Sequence, residues 1–98
     1  MANAVILEFQ GVDEGMYNAV NAKLGLDPAK GTGGWPAELM SHIGGATDDG
    51  GWIVAEVWES QAAHAAWMES RLGQALGEVG VPAPTRVTWV DIAARYLA

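Results

Sequence analysis

A chain of 98 residues forms one domain, residues 1–98, near the small end of the usual range, with half of its residues apolar and five of them Trp. Five Lys and Arg against twelve Asp and Glu leave a net charge of -7, which repels phosphate backbones and anionic lipid, so neither nucleic acid nor a membrane is expected as a partner. Without Cys there is no disulfide framework, no thiolate nucleophile and no Cys-based zinc or iron–sulfur centre.

The N-terminus, MANAVILEF, lacks a basic n-region, and its apolar run is too short for a signal h-region or a membrane span, so a cytoplasmic protein is expected. Ala4 to Phe9 reads as a strand with Val5, Leu7 and Phe9 on one face and Ile6 and Glu8 on the other. Asp13 is an N-cap for a helix running to about Lys23, with Met16, Tyr17, Val20 and Leu24 facing the core and Gly25 as the C′ residue. Residues 25–36 carry four Gly and two Pro and read as a structureless loop, a lid or rim with Trp35 on it, or a plain connector.

Leu39 to Gly44 is a second strand, ATDDGG a turn, and Trp52 to Trp58 the hairpin partner. Ser60 caps a second helix whose buried stripe is Ala65, Met68, Leu72, Leu76 and Val79, with a kink or break expected at Ser70 and Gly73. Pro82 and Pro84 stop it, Arg86 to Ile92 is the last strand, and 93–98 is a tail. The order βαββαβ gives an α+β, ferredoxin-like fold: a four-stranded antiparallel sheet with two helices on one face. A domain this small buries only about two-thirds of its unfolded surface. Strands apolar on both faces therefore suggest a covered second face and a homodimer.

The stretch from Trp52 to Leu76 resembles the dimeric α/β-barrel proteins of the antibiotic-biosynthesis-monooxygenase type. The likeness rests on Trp58-Glu59-Ser60 at the strand-to-helix turn, Trp67 in the helix, and Arg71-Leu72-Gly73 to Ala75-Leu76 after it. It implies two protomers packed sheet to sheet, with a pocket inside each between sheet and helices. It also implies the first strand beside the third. Members include cofactor-independent oxygenases of aromatic polyketides and haem-degrading enzymes, and relatives include isomerases. The haem-degrading branch has an axial His ten residues past the helix Trp, where this chain has Gly77, so haem is not expected. The implied protein is a cofactor-independent, monooxygenase-like protein of secondary metabolism with a small aromatic ligand in a Trp-rich pocket. A non-oxidative cyclase or isomerase, and a non-enzymatic ligand-binding dimer, are the alternatives.

If the hairpin turn is centred on Asp49, residues whose numbers sum to 98 face each other: His42 with Glu56, Met40 with Trp58, Gly44 with Val54. Such cross-strand neighbours have Cβ atoms about 4.5–5.5 Å apart, within reach of an imidazole–carboxylate hydrogen bond that fixes the His tautomer. His42 as base and Glu56 as its orienter are the catalytic candidates, with Glu8 beside them. The alternative is a satisfied polar network in the dimer interface. Ile43, Ala55 and Val57 form the more apolar side of the hairpin and so the expected bed for the helices, which would turn His42 towards the partner sheet. Two carboxylates and a His could also hold Fe(II), although no diagnostic spacing supports a metal. Candidate substrate contacts are Trp35, Trp58, Trp67, Met68 and Tyr17 as apolar walls and His64 as an acid or donor, against core roles for the Trp residues and a half-exposed position for His64. KGTGG has the wrong spacing for a phosphate loop, and Ser41 points away from His42, so a Ser–His pair is not expected.

Overall fold

The computed structural model describes residues 2–96, so the end of the tail lies outside the described residues. Strand β1 spans Asn3–Phe9 and helix α1 spans Glu14–Leu24. The helix begins where the Asp13 carboxylate accepts from the Met16 N–H and ends at Gly25, whose φ of 72° closes it in the left-handed region. The segment 25–36 is not structureless. It holds a small ribbon, β2 (Leu26–Asp27) against β3 (Thr32–Gly33), with Leu26 buried. The backbones meet so closely that a Cβ on Gly33 would stand 2.1 Å from the Gly25 carbonyl oxygen, which only Gly allows.

Strands β4 (Leu39–Ala46) and β5 (Trp52–Trp58) form the expected hairpin. With β1 and the last strand, β6 (Arg86–Asp91), they make an antiparallel sheet in the order β4-β5-β1-β6, the ferredoxin-like arrangement, with β1 beside β5. No helix among the described residues is long and apolar enough to cross a membrane.

The helices cover the face that carries Val5, Phe9, Trp52, Glu56 and Trp58, all buried, and not the Ile43, Ala55 and Val57 side. Size decides this: a Trp or Phe buries about 150–250 Å², so two Trp and a Phe outweigh more numerous small aliphatics. Ile43 is left 66% exposed and Val90 40% exposed on the outer face.

The second helical segment is α2 (Gln61–Trp67), a π-turn over Met68–Leu72, and α3 (Gly73–Val79). The break therefore falls where Ser70 and Gly73 suggested one, but as a widened turn. A Cβ on Gly73 would come within 2.9 Å of the Met68 carbonyl oxygen. The extra residue keeps positions 64, 68 and 72 on one face, where a 3.6-residue period would drift. His64 is consequently buried and Ala65 exposed, the reverse of the expected stripe.

Candidate functional site

Between the sheet and the helices lies a cavity of ≈ 180 Å³, far more than one water needs. Its wall is almost wholly apolar, with polar atoms concentrated where Tyr17 and Asn21 of α1 face His42 of β4 and Glu56 of β5. His42 and Glu56 pair across the hairpin in the expected register, and their side chains point inward with only 12% and 8% of their surface exposed. The register rule fails one step further on. A bulge between Leu39 and Ser41 sets Leu39, not Met40, opposite Trp58, so Leu39 enters the cavity wall and Met40 swings out to 46% exposure.

Four side chains form a continuous polar chain. Trp58, fully buried, donates its indole N–H to Glu56 Oε1 at 3.0 Å. Glu56 Oε2 stands 2.7 Å from His42 Nδ1, and His42 Nε2 is hydrogen-bonded to the Tyr17 hydroxyl. An ionised Glu56 can only accept, so Nδ1 carries the ring proton and Nε2 is left as acceptor for the Tyr17 O–H. Burial holds the Tyr17 phenol above its ordinary value of 10.0; the nearby Asn21 amide pulls it back, and the Glu56 charge pushes it further up. Tyr17 therefore stays protonated until strongly alkaline pH.

The backbone makes room for this arrangement. Tyr17 lies nearly parallel to the His42 ring, at 15° and 5.9 Å, over Gly44. A Cβ at Gly44 would sit 2.7 Å from Tyr17 Cζ. Trp35 closes the other side of His42, with ring centroids 5.2 Å apart.

Of the sequence candidates, His42, Glu56, Tyr17, Trp35, Trp67 and Met68 meet at the cavity, whereas Trp58 and His64 stand outside its wall. Trp58 is the carboxylate's hydrogen-bond partner. His64 is buried, not half-exposed, edge-on to Trp58 and Trp89 at 5.4 and 5.2 Å. Burial lowers its pKa below 6.5, and the Glu56 charge partly offsets this. Glu8 is on the wrong face. It pairs with Ile53 and Arg86 on the outer side of the sheet, its carboxylate 3.8 Å from Arg86 Nε, because strand alternation opposes it to the inward Val5 and Phe9. A Glu8–Glu56–His42 metal triad is therefore not formed, and no cluster of three potential ligands occurs among the described residues.

Asn21 and Trp52 also line the cavity and were not singled out from sequence. The signals were present: Asn21 follows Tyr17 by one helical turn, and Trp52 shares the alternation of Glu56.

No protein-family model and no curated protein matches the chain. Solved structures do. A candidate antibiotic biosynthesis monooxygenase from Chloroflexus aurantiacus J-10-fl superposes with a TM-score of 0.66 over 98% of this chain and 97% of that one, at 15% identity. The chain has the ferredoxin-like fold of the antibiotic-biosynthesis-monooxygenase type. Rv0793 from Mycobacterium tuberculosis matches that fold with a TM-score of 0.67 over 97% and 98% of the two chains, at 19% identity. A candidate antibiotic biosynthesis monooxygenase from Deinococcus radiodurans gives 0.61 over 100% and 98%, at 12% identity. At such identities the antibiotic-biosynthesis-monooxygenase likeness concerns the fold, and chemistry has to be argued from the site.

Proposed function

We propose that this chain is a cofactor-independent monooxygenase of secondary metabolism, acting on a small aromatic substrate with an acidic hydroxyl. The observation that carries the reading is the Trp58–Glu56–His42–Tyr17 chain ending in an otherwise apolar cavity. The flat walls of Trp35 and Trp67 suit an aromatic ring, and Met68 adapts to its outline.

Tyr17 ends the chain at the cavity wall and presents its hydroxyl to a bound ring. A substrate hydroxyl donates to the Tyr17 oxygen as the Tyr17 proton passes to His42 Nε2. The resulting imidazolium is held between Tyr17 and the Glu56 carboxylate, which Trp58 keeps in place. A relay is needed because burial makes a free Tyr17 phenolate costly. The aromatic anion so formed is electron-rich at carbon and is itself the reductant. Its carbon bonds to O2, the peroxide anion so formed takes up a proton, and the hydroperoxide loses water; the ring C–H carbon becomes C=O, the substrate's C–OH carbon becomes C=O as well, and one H2O is released per O2. The apolar wall excludes bulk water, which strengthens each polar contact inside.

The functional unit in this reading is a cytoplasmic homodimer that buries the outer sheet face around Ile43 and Val90. The test is O2 uptake with 1,8-dihydroxyanthrone and 1-naphthol, wild type against His42→Ala and Tyr17→Phe. Enzyme-dependent uptake that falls at least 100-fold in both variants supports the mechanism. Turnover that proceeds equally without O2 replaces it with an isomerase or cyclase using the same relay, and no turnover with binding intact leaves a ligand-binding dimer.

A further inference from the structure

A second hollow adjoins the cavity. It is an open groove of ≈ 290 Å³ between the ribbon turn and β4, and it shares Trp35, Leu39 and His42 with the closed cavity as a common wall. The closed cavity alone falls below the ~300–1,000 Å³ of ordinary ligand pockets. The two together, about 470 Å³, fall within that range.

The Trp35 part of the partition belongs to the ribbon, and Leu39 and His42 belong to β4. The Trp35 indole N–H donates to the Thr32 carbonyl at 2.9 Å, so the ring travels with the ribbon and not with the sheet. The β4 bulge acts on both sides of the partition, sending Leu39 into the closed cavity and Met40 to the groove.

Two cationic residues neighbour the groove's lining. Lys30 lies on the ribbon turn between the lining residues Pro28 and Gly31, and Arg95 Nη1 is 3.9 Å from the sulfur of Met40. Lys23 and Arg86 pair with carboxylates and Arg71 donates to the Leu24 carbonyl, whereas Lys30 and Arg95 have no carboxylate within ion-pair distance among the described residues. In a chain of net charge -7, two cations that are without an ion pair among the described residues stand beside one groove, and the Asp27 carboxylate at the same turn accepts from the Lys30 backbone N–H at 3.2 Å.

We propose that the groove is a second subsite, taking a carboxylate-bearing side arm of the aromatic ligand whose ring fills the closed cavity. This rests on the reading of that cavity as a ligand site. The arm passes His42 and leaves beneath Trp35, and its carboxylate meets Arg95 and Lys30. Anchoring at the lip fixes which ring position lies against Tyr17.

The experiment compares three probes by titration calorimetry: 1-naphthol, and 1-naphthol carrying at its 4-position a propanoate or the matching propanol. In the wild type the propanoate is expected to bind at least tenfold tighter than 1-naphthol and tighter than the propanol. Met40→Trp, which enlarges the side chain that the bulge sends to the groove, is expected to abolish the ratio between propanoate and 1-naphthol. The surface double variant Lys30→Glu/Arg95→Glu is expected to abolish the ratio between propanoate and propanol. An arm that adds nothing in the wild type, or an advantage that survives both variants, overturns the subsite. A propanoate no tighter than the propanol overturns the carboxylate. If 1-naphthol binds and the arm adds nothing, only the subsite fails; if no probe binds, the reading of the cavity fails with it.

Discussion

Gly44→Ala is the sharpest small change available to the site. The new methyl carbon would stand 2.7 Å from Tyr17 Cζ and 2.8 Å from the Tyr17 oxygen, where ordinary contact begins at 3.4 Å. The ring has to retreat by roughly 0.7 Å, and its retreat is blocked on the far side by Trp52, whose ring centre is 5.1 Å away. Overpacking of this kind costs about 1–3 kcal/mol, and loss of the Tyr17–His42 hydrogen bond adds about 0.5–1.5 kcal/mol. With a midpoint shift of about 4–8 °C per kcal/mol in a domain this size, thermal unfolding of the variant should begin well below the wild type. A second readout separates local displacement from general damage. In a Tyr96→Phe background Tyr17 is the chain's remaining tyrosine, and its ionisation can be followed by ultraviolet absorbance. The wild-type phenol titrates above 10.0 because it is buried, and Gly44→Ala should bring it down towards that value. Unchanged stability together with an unchanged Tyr17 titration would refute the account of Gly44 as the seat of the tyrosine.

Trp58→Phe keeps most of the ring but leaves Glu56 Oε1 without its donor, a loss worth about 1–3 kcal/mol that denaturant unfolding should detect. The loss should shrink when Glu56→Leu, which has no acceptor, is already present, and equal losses in both backgrounds would mean that the indole acts only by packing. His64 binds protons less readily folded than unfolded, so its contribution to stability is complete above pH 6.5 and declines as the pH falls towards the lowered native pKa. Urea midpoints measured from pH 8 to pH 5 should therefore fall less steeply in His64→Phe than in the wild type, and parallel slopes would contradict this. If the proposed dimer forms through the outer sheet face, Ile43→Lys, which places a charge there, should weaken it at least tenfold, or ~1.4 kcal/mol, by light scattering. An unchanged mass at low micromolar concentration would show that this face is not the contact.

Much of the fold was legible because it depends on local periodicity. Asp13, Gly25 and Ser60 cap helices as their chemistry dictates, and strand β5 begins and ends on the tryptophans that mark it. The His42–Glu56 pairing followed from counting outward from the turn. What counting could not supply was the bulge at Met40, since an extra residue leaves no trace in a short strand whose Leu39 and Met40 are both apolar. Nor could it supply which face met the helices, because the number of apolar residues favoured one side and their size favoured the other. The same error of face misplaced Glu8, and the π-turn, invisible to a 3.6-residue period, exchanged His64 for Ala65. Tyr17 was read as a wall residue; its hydrogen bond to His42 depends on the missing side chain at Gly44, a relation between a helix and a strand that no local pattern encodes.

The π-turn over Met68–Leu72 also separates two kinds of change in length. Deleting one residue there would restore an unbroken α-helix and rotate everything N-terminal to it by about 100°, moving His64 and Trp67 relative to the sheet while the strands stayed in place. Deleting one residue in β5 would instead turn its inward row outward and abolish the core. Relatives built on this plan can thus reshape the chamber by single insertions or deletions in one helical turn and keep the scaffold intact.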